Sequence, residues 1–308
     1  MTRFLEPMMS AVQDSTQPAQ IAVLMTCFNR REITLKCLDV LYQQSVDFQV
    51  YLVDDGSTDG TQTAIEAKYP AVKVLRGDGS LYWVGGMHMA FEAAIAANHP
   101  YYLWLNDDTL IEPGALQTLL ETHQKLSAAG HPNSIVAGAI KDPSTGEQTY
   151  GGRTRPKRWY SFKFEAVESS QQPQQCDTMQ GNIVLIPRSV VEKVGNVDTA
   201  FIHNFGDLDY GLRAQRKNCS VWVAPGFAGS CPQNSVKGSY VDTSLSRVAR
   251  LKKALHIKGF PVKAWTTYLQ RHAGPFWFIY WPLPYVRSLI GYRDLKSSPS
   301  FTDSEPVT

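Results

Sequence analysis

A short apolar segment that ends in two adjacent acids constrains the fold more than any other feature. Residues 101–105 are apolar and aromatic, Asn106, Asp107 and Asp108 follow them, and a helical pattern begins after Gly114. Such a run predicts a buried strand of a parallel sheet, and open α/β sheets bind ligands at the carboxyl ends of their strands. Because two adjacent carboxylates repel each other, they favour a divalent cation that also grips a diphosphate. A solvated turn that caps the next helix is the alternative.

The rest of the chain repeats this alternation of strand and helix. Buried strands are predicted at residues 21–26, 49–53, 72–75, 135–140, 183–186 and 221–224. Apolar residues at helical spacing separate the early strands, which predicts an α/β protein with a doubly wound sheet. Residues 142–180 differ because they are rich in Gly, Gln, Ser and Arg and contain a strand-like aromatic patch at Trp159, Tyr160, Phe162 and Phe164.

Composition narrows the class of protein. Apolar residues make up 43% of the chain and charged residues 19%, as is usual for globular proteins. The five cysteines are odd in number and form no C-x-x-C pair, which argues against a disulfide framework and favours a reducing compartment. We find no apolar run of ~18 residues that predicts a transmembrane helix. Residues 1–19 lack the apolar block of a signal peptide and are expected to form a loose tail. We therefore expect a cytosolic protein.

The C-terminal region has a distinct composition. Residues 245–296 carry ten Lys and Arg residues and one acid, Asp294, with aromatic residues interspersed among prolines. Amphipathic rings and cations together are typical of peripheral contact with an anionic membrane surface, here the inner face. Two alternatives stay open: a packed subdomain that covers the sheet, and a wall that binds an acceptor.

Several motifs together resemble the family 2 glycosyltransferases. In chain order they are residues 26–30, 53–61, 105–108, 181–182, 195–198 and 205–214. The similarity spans residues 21–228 and keeps the order and spacing of the family. It implies a GT-A fold, which is a Rossmann-like, doubly wound mixed sheet, over residues 20–240. The nucleotide-binding half would be 20–112 and the acceptor half 113–240, with a basic, aromatic, helical extension at 241–308.

The resemblance also implies a reaction. The family transfers a sugar, with inversion, from a nucleotide-diphosphate donor and usually needs Mg²⁺ or Mn²⁺. For this chain we expect a UDP or dTDP sugar as donor, a glycan or lipid-linked acceptor, and no nucleic-acid partner. By position, Asp207 would be the general base, Asp108 would bind the metal and Asp107 would support it. A solvated helix start is the alternative for Asp207.

The nucleotide-sugar site follows from the same motifs and from the edge of the sheet. It is expected to contain Thr26, Asn29, Arg30, Asp54, Asp55, Arg76, Trp83, Gly85, Asn106 and Asp107. Glycine at position 85 would let backbone N–H groups approach a phosphate or sugar. The aromatic face of Trp83 suits a sugar ring, although packing under the loop is an equal alternative.

Three positions depart from the family pattern. Asn106 replaces the first Asp of the aspartate-x-aspartate motif, which weakens the case for tight metal binding. Gly206 replaces a Glu before the catalytic Asp, which makes Asp209 an alternative base. Cys231 takes the place of a metal-binding His; a thiolate suits softer metals, and a structural role is the alternative. Lys237 is a further candidate, which could close over the diphosphate.

Other functions compete with this hypothesis. The departures at Asn106 and Gly206 keep open a non-catalytic GT-A module that binds a nucleotide sugar or glycan. A nucleotidyltransferase would need a Gly-rich, Lys-bearing loop after the first strand, where residues 27–30 stand instead. A dinucleotide dehydrogenase would need G-x-G-x-x-G there, which is absent.

Overall fold

A computed structural model describes residues 19–155, 164–233 and 235–290. The predicted patch at Trp159, Tyr160 and Phe162 lies outside these ranges, as does Asp294. The described strands are β1 Ile21–Cys27, β2 Phe48–Asp54, β3 Lys73–Arg76, β4 Tyr101–Leu105, β5 Leu110–Ile111, β6 Ser134–Lys141, β7 Gln148–Tyr150, β8 Gly152–Thr154, β9 Glu165–Ala166, β10 Gln174–Cys176, β11 Thr178–Met179, β12 Ile183–Pro187 and β13 Ser220–Ser230. The described helices are α1 Arg31–Leu41, α2 Thr61–Lys68, α3 Tyr82–Ala96, α4 Ala115–Ala128, α5 Arg188–Val194, α6 Gly206–Arg216, α7 Arg247–Leu255, α8 Val262–His272, α9 Trp277–Tyr280 and α10 Leu283–Ile290.

The main sheet is mixed. Its strands lie in the order β10-β13-β6-β12-β4-β1-β2-β3. The strands β1, β2, β3 and β4 pair in parallel, whereas β12 is antiparallel to both β4 and β6. The predicted α/β class with a mixed sheet is therefore confirmed, and the early strands are parallel, as the alternation of strand and helix predicts.

Side chains of consecutive strand residues pack on opposite faces of the sheet, as the period of two requires. In β1, Ala22 and Leu24 join one core with α3 and α6. Ile21 and Val23 join the other core with α1 and α4. Both faces are apolar because both are covered, which explains why these strands are continuous hydrophobic runs in the sequence.

The register of the parallel strands brings their polar ends together. Cys27 at the end of β1 pairs with Asp54 at the end of β2, and Asp54 pairs with Arg76 at the end of β3. β4 lies on the other side of β1 and ends at Leu105, directly before Asn106. The acids predicted at strand ends thus share one edge of the sheet.

The C-terminal part is helical, as predicted, and its central helix packs on the domain. Trp265, Tyr268 and Leu269 of α8 are buried in the same core as α3. The ring of Trp265 lies 5.5 Å from that of Phe205, which precedes α6. The short helix α9 has no buried residue. Helix α8 therefore packs on the domain. Trp277 and Tyr280 of α9 pack partly against the same core, while Phe278 and Ile279 are exposed.

Within the described residues, every helix is too short or too polar to cross a lipid bilayer.

Candidate active site

Arg30 lies between the two acids that follow β4. Its Nη1 donates to Oδ1 of Asp107 at 3.0 Å, and its Nη2 donates to Oδ2 of Asp108 at 2.9 Å. Thr34 on α1 donates a further hydrogen bond of 3.3 Å to Oδ2 of Asp107. Burial raises the pKa of Asp107, while the charge of Arg30 opposes this effect. One guanidinium thus compensates a pair of carboxylates that would otherwise repel each other.

Asp108 keeps one oxygen free for a ligand. Its Oδ1 is buried, and no donor among the described residues reaches it. A buried carboxylate oxygen without a partner is unfavourable, so an external cation or donor fits this position. Cys231 lies beside Asp108, and burial, the negative charge of Asp108 and a side-chain hydrogen bond to Asp108 raise the pKa of its thiol. A protonated thiol is a poor metal ligand, so this setting favours the structural alternative for Cys231.

The described residues hold no group of three or more His, Cys, Asp or Glu side chains arranged as a metal site. Mg²⁺ and Mn²⁺ in phosphoryl chemistry are bound by one or two carboxylates together with the phosphates of the substrate. The free oxygen of Asp108, with Asp107 beside it, fits that kind of site. Such a cation would depend on the diphosphate for its remaining ligands.

Asp54 and Asp55 shape the loops on the nucleotide side. Both side chains are almost completely buried. Oδ1 of Asp54 accepts from the N–H of Ser57 at 2.9 Å. Asp55 accepts three backbone hydrogen bonds of 2.9 to 3.0 Å, one from Gly79 on Oδ1 and two from Leu81 and Tyr82 on Oδ2. Asp55 therefore fixes the loop before α3, and Asp54 is the acid with the freer oxygen.

The remaining nucleotide-side candidates lie around these loops. Thr26 packs against Gly86, where an added Cβ would come within 2.2 Å of its Oγ1. Asn29 is exposed, and its Oδ1 accepts from the N–H of Thr58 at 2.8 Å, which ties the first loop to the second. Arg76 is exposed at the end of β3. Gly85 lies in the first turn of α3, with Leu81 as its nearest neighbour.

Trp83 connects the residues that follow β4 with the start of α6. Its Nε1 donates a hydrogen bond of 2.8 Å to Oδ1 of Asn106. The six-membered ring of the indole lies against Gly181, where an added Cβ would be 2.5 Å from Cζ2 of Trp83 and 3.5 Å from Cβ of Asp207. A single indole thus separates Asn106 from Asp207, so these residues border the same cleft. Asn106 uses its side chain to hold this ring, which gives the departure at that position a structural reason.

Asp207 is held at the start of α6 by backbone N–H groups. Its Oδ2 accepts from Gly181 at 3.0 Å, and its Oδ1 accepts from Leu208 at 2.8 Å. Burial raises the pKa of Asp207, against the effect of these N–H groups and the positive charge of Arg153. Each oxygen of a carboxylate has a second lone pair, so Asp207 can still accept a proton from a third group.

The glycine before Asp207 also has a steric reason. A Cβ at Gly206 would lie 2.7 Å from Cγ2 of Val84 on α3. A glutamate at this position would therefore not fit unless the Val84 side chain moved. The departure at Gly206 reflects close packing between α3 and α6.

Asp209 has a different setting from Asp207. It is fully buried, and its oxygens pair with Arg213 at 2.7 Å, His272 at 2.8 Å and Arg271 at 3.2 Å. Burial acts against ionisation, yet the hydrogen bond from His272 and the charge of Arg213 lower the pKa of Asp209 overall. A carboxylate bound by three basic side chains is a structural anchor between α6 and α8. We therefore do not retain it as an alternative base.

Lys237 is exposed in the segment after Cys231. Its described electrostatic neighbour is Asp242, whose pKa it helps to lower after the hydrogen bonds from Gly238 and Ser244. No contact in the described ranges joins Lys237 to the acids of the cleft.

Backbone strain is concentrated around the cleft. Three of the five described residues other than glycine with left-handed backbone conformation lie there: Asn29 at φ 50°, Tyr82 at φ 53° and Phe205 at φ 73°. Asn29 precedes α1, Tyr82 is the first residue of α3, and Phe205 precedes α6. Strained residues persist where the surrounding structure fixes them, commonly at functional sites.

The sequence patterns did not identify the buried cation near Asp207. Arg153 is only 7% exposed, and its Nε and Nη2 donate to Oε1 of Gln180 at 2.9 and 2.7 Å. The next residue, Gly181, holds Asp207. The basic stretch at residues 153–158 was the available signal in the sequence.

Comparisons with known proteins identify the family of the chain. Residues 22–195, more than half of the 308 residues, match the model of Glycosyl transferase family 2. N-acetylglucosaminyl-diphospho-decaprenol L-rhamnosyltransferase of Mycobacterium tuberculosis is 27% identical over 196 residues, which are 56% of this chain. The chain spans 63% of the length of that relative. Chondroitin synthase of Pasteurella multocida is 29% identical over 110 residues, which are 34% of this chain and 11% of that protein.

A solved structure supports the fold. The mannosyltransferase PcManGT from Pyrobaculum calidifontis, in complex with GDP-Man and Mn²⁺, is similar with a TM-score of 0.54. The similarity covers 89% of this chain and 70% of that chain at 14% sequence identity, so it bears on the fold alone. The chain therefore belongs to glycosyl transferase family 2 and has the GT-A fold.

Proposed function

We propose that the protein is an inverting glycosyltransferase that moves a sugar from a UDP or dTDP sugar to a lipid-linked glycan. The observation that carries the proposal is the position of Trp83. Its indole N–H contacts Asn106 beside Asp107 and Asp108, and its six-membered ring lies against Gly181, whose backbone N–H holds Asp207. A candidate diphosphate site and a candidate base therefore border one cleft, as a transfer between two substrates requires.

Asp207 would act as the general base. It would accept the proton of the acceptor hydroxyl while that oxygen attacks the anomeric carbon from the face opposite the diphosphate. The bond between the anomeric carbon and the diphosphate oxygen breaks, and its electron pair leaves with the diphosphate. The raised pKa of Asp207 supports this role because a base works best when its pKa approaches the working pH.

Asp108, with Asp107 behind it, would hold Mg²⁺ or Mn²⁺. A bound cation of this kind neutralises the charge of the leaving diphosphate. Arg30 adds a permanent positive charge at the same carboxylates, and it is well placed to orient Asp107 and Asp108. On the nucleotide side, Asp54 and Thr26 would contact the nucleoside, and Asp55 would keep the loop before α3 in place.

The relative from Mycobacterium tuberculosis supports the class of acceptor and sugar, since its name specifies a diphospho-decaprenol acceptor and L-rhamnose. An acceptor with a polyprenyl chain lies in a membrane, and the exposed apolar side chains around α9 would meet that surface. Phe276, Phe278 and Ile279 are each more than half exposed. We therefore extend the proposal to peripheral association with an anionic membrane.

One experiment tests the proposal. Purified protein is screened by thermal shift against nucleotide sugars with and without Mn²⁺, and each stabilising donor is then incubated with an N-acetylglucosaminyl-diphospho-lipid. We expect stabilisation that depends on Mn²⁺, followed by transfer to the lipid-linked sugar. Tight binding of a donor without hydrolysis or transfer would instead favour the non-catalytic GT-A module. If no nucleotide sugar binds, the proposal is wrong.

A further inference from the structure

Arg153 on β8 is a buried cation whose hydrogen bonds go to a neutral group. Its side chain is 7% exposed, and its Nε and Nη2 donate to Oε1 of Gln180 at 2.9 and 2.7 Å. Buried charges are usually paired with an opposite charge, but an amide does not neutralise a guanidinium. Burial lowers the pKa of Arg153, and the negative charge of Asp207 is the largest effect that opposes it. The carboxylate that most offsets this buried charge is therefore Asp207.

Gln180 links this cation to the candidate base by hydrogen bonds. The residue after it, Gly181, donates its backbone N–H to Oδ2 of Asp207 at 3.0 Å. The backbone N–H of Gln180 donates to the O of Gly151 at 3.0 Å, directly before β8. The side chain and the backbone of Gln180 are thus both held by the same short segment. The N–H of Gly181 belongs to the peptide that joins it to Gln180, so its direction depends on how Gln180 is held.

The small sheet β11-β8-β9 fixes the start of α6 at a second point. Thr178 lies opposite Arg153 in the antiparallel register of β11 and β8. The hydroxyl of Thr178 donates to the O of Leu208 at 3.0 Å, and Leu208 directly follows the candidate base. Helix α6 packs closely here, since a Cβ at Gly211 would clash with Oγ1 of Thr178. The strand that carries Arg153 therefore helps to place the base as well as its hydrogen-bond donor.

Groups other than Arg153 near the base are paired or uncharged. Three basic side chains enclose Asp209, namely Arg213, Arg271 and His272. Arg155 pairs with Asp177 at 3.8 Å. The hydroxyl of Tyr268 on α8 is neutral at ordinary pH because burial raises its pKa. Helix α3 contributes two uncharged side chains, Trp83 and Val84. Burial raises the pKa of the base, and among the described residues the charge of Arg153 acts against this effect.

We propose that Arg153 positions the base Asp207 and stabilises its ionised form. Through Gln180 it keeps the N–H of Gly181 on one carboxylate oxygen, which leaves the remaining lone pairs for the acceptor hydroxyl. Its charge favours the carboxylate over the carboxylic acid, and only the carboxylate accepts a proton. The inference rests on the proposed glycosyl transfer and adds a positioning residue to it.

The test is the pH dependence of kcat for sugar transfer by Arg153→Gln and Gln180→Glu. The first variant removes the charge. The second keeps an acceptor for Arg153 but neutralises it by an ion pair, so it should fold even if Arg153→Gln does not. In both we expect the acidic limb of the profile to move to higher pH by about one unit, since a nearby opposite charge lowers a carboxyl pKa by about 1–3 units. The KM for the donor should stay unchanged. Arg153→Lys, which retains the charge, should keep the limb near that of the parent.

Arg250→Gln is the matched control. Arg250 is also 7% exposed, and its Nε also donates to a neutral acceptor, the O of Ser288 at 2.9 Å. This variant removes a buried arginine between α7 and α10 and should lower the thermal stability without moving the acidic limb. If kcat of Arg153→Gln falls by the same factor at every pH, or if the limb of Gln180→Glu stays in place, the role of Arg153 is only structural and the inference is wrong.

A titration without turnover separates this inference from the proposed transfer. Carbon-13 NMR of protein labelled at aspartate carboxyls, with the Asp207 resonance assigned from Asp207→Asn, should show a higher pKa of Asp207 in Gln180→Glu than in the parent. Equal titration of Asp207 in the two proteins would overturn the inference. A parent that transfers no sugar would instead refute the proposed function.

Discussion

Nη2 of Arg30 lies 2.9 Å from Oδ2 of Asp108, the carboxylate proposed to hold a divalent cation. The same guanidinium also pairs with Asp107. The positive charge of Arg30 therefore offsets part of the negative charge that would attract the metal. In the absence of nucleotide, the cation and Arg30 should compete for these two acids.

This relationship predicts the behaviour of Arg30→Gln. Without nucleotide, we expect Mn²⁺ to bind the variant about five- to tenfold more tightly than the parent, because a partly exposed ion pair is worth about 1 kcal/mol. Calorimetric titration with Mn²⁺ measures the effect. Arg31→Gln is the control, since its side chain is half-exposed and pairs with Glu32. Equal Mn²⁺ affinities in Arg30→Gln and the parent would show that the two cations do not compete.

The contact between Trp83 and Gly181 predicts that the cleft has no room for a methyl group. Gly181→Ala would place Cβ 2.5 Å from Cζ2 of Trp83, and we expect the free energy of unfolding to fall by about 1–3 kcal/mol, as overpacking usually costs. Trp83→Phe should relieve this clash, so the double variant should be less destabilised than the sum of the single variants. Denaturant unfolding of the four proteins completes the cycle. Additive effects would mean that the indole and Gly181 do not touch.

The pairing of Asp209 with three basic side chains predicts that its substitution lowers the stability of the protein and does not remove a catalytic base. Asp209→Asn should lower the free energy of unfolding at neutral pH by about 3–5 kcal/mol, because it removes one partner of a buried charge network with Arg213, Arg271 and His272. The pKa of Asp209 is lowered in the folded state. Its stabilisation is therefore present above the ordinary pKa of about 3.9 and is lost as the pH falls through the folded value. The difference between variant and parent should shrink on acidification. A neutral-pH stability equal to that of the parent would contradict the assignment of Asp209 as an anchor.

The outward face of α9 predicts binding to anionic membranes. The triple variant Phe276→Ser, Phe278→Ser and Ile279→Ser should no longer sediment with phosphatidylglycerol vesicles, because it removes the exposed apolar side chains. Val236→Ser is the control, as Val236 is 57% exposed but lies away from α9. The parent should bind less at high salt, since the Lys and Arg residues of this region contribute through screened charges. Unchanged co-sedimentation of the triple variant would assign α9 no role at the membrane.

The early strands were predictable because burial on both faces leaves long apolar runs. The segments around Leu24, Val53 and Leu103 are such runs, and each forms the strand expected. The acids that follow them were predictable for the same reason, since parallel strands end at a common edge. The antiparallel position of β12 between β4 and β6 could not be predicted from the local sequence, because an apolar run does not indicate the direction in which its strand pairs.

The contacts between distant parts of the chain lay beyond local patterns. Asp207 and Asp209 are both aspartates and lie two positions apart. Asp207 borders the cleft, whereas Asp209 is enclosed by α8. Only the docking of His272 and Arg271 separates their roles.

Asp207 is proposed to deprotonate the acceptor that attacks a donor held at Asp108 in the same cleft. The most direct measurement compares Asp207→Asn with the parent, by donor affinity in the presence of Mn²⁺ and by the rate of sugar transfer. We expect the variant to bind the donor like the parent while transfer falls by about 10²–10⁴-fold, as loss of a general base predicts. Transfer at the rate of the parent would contradict the account.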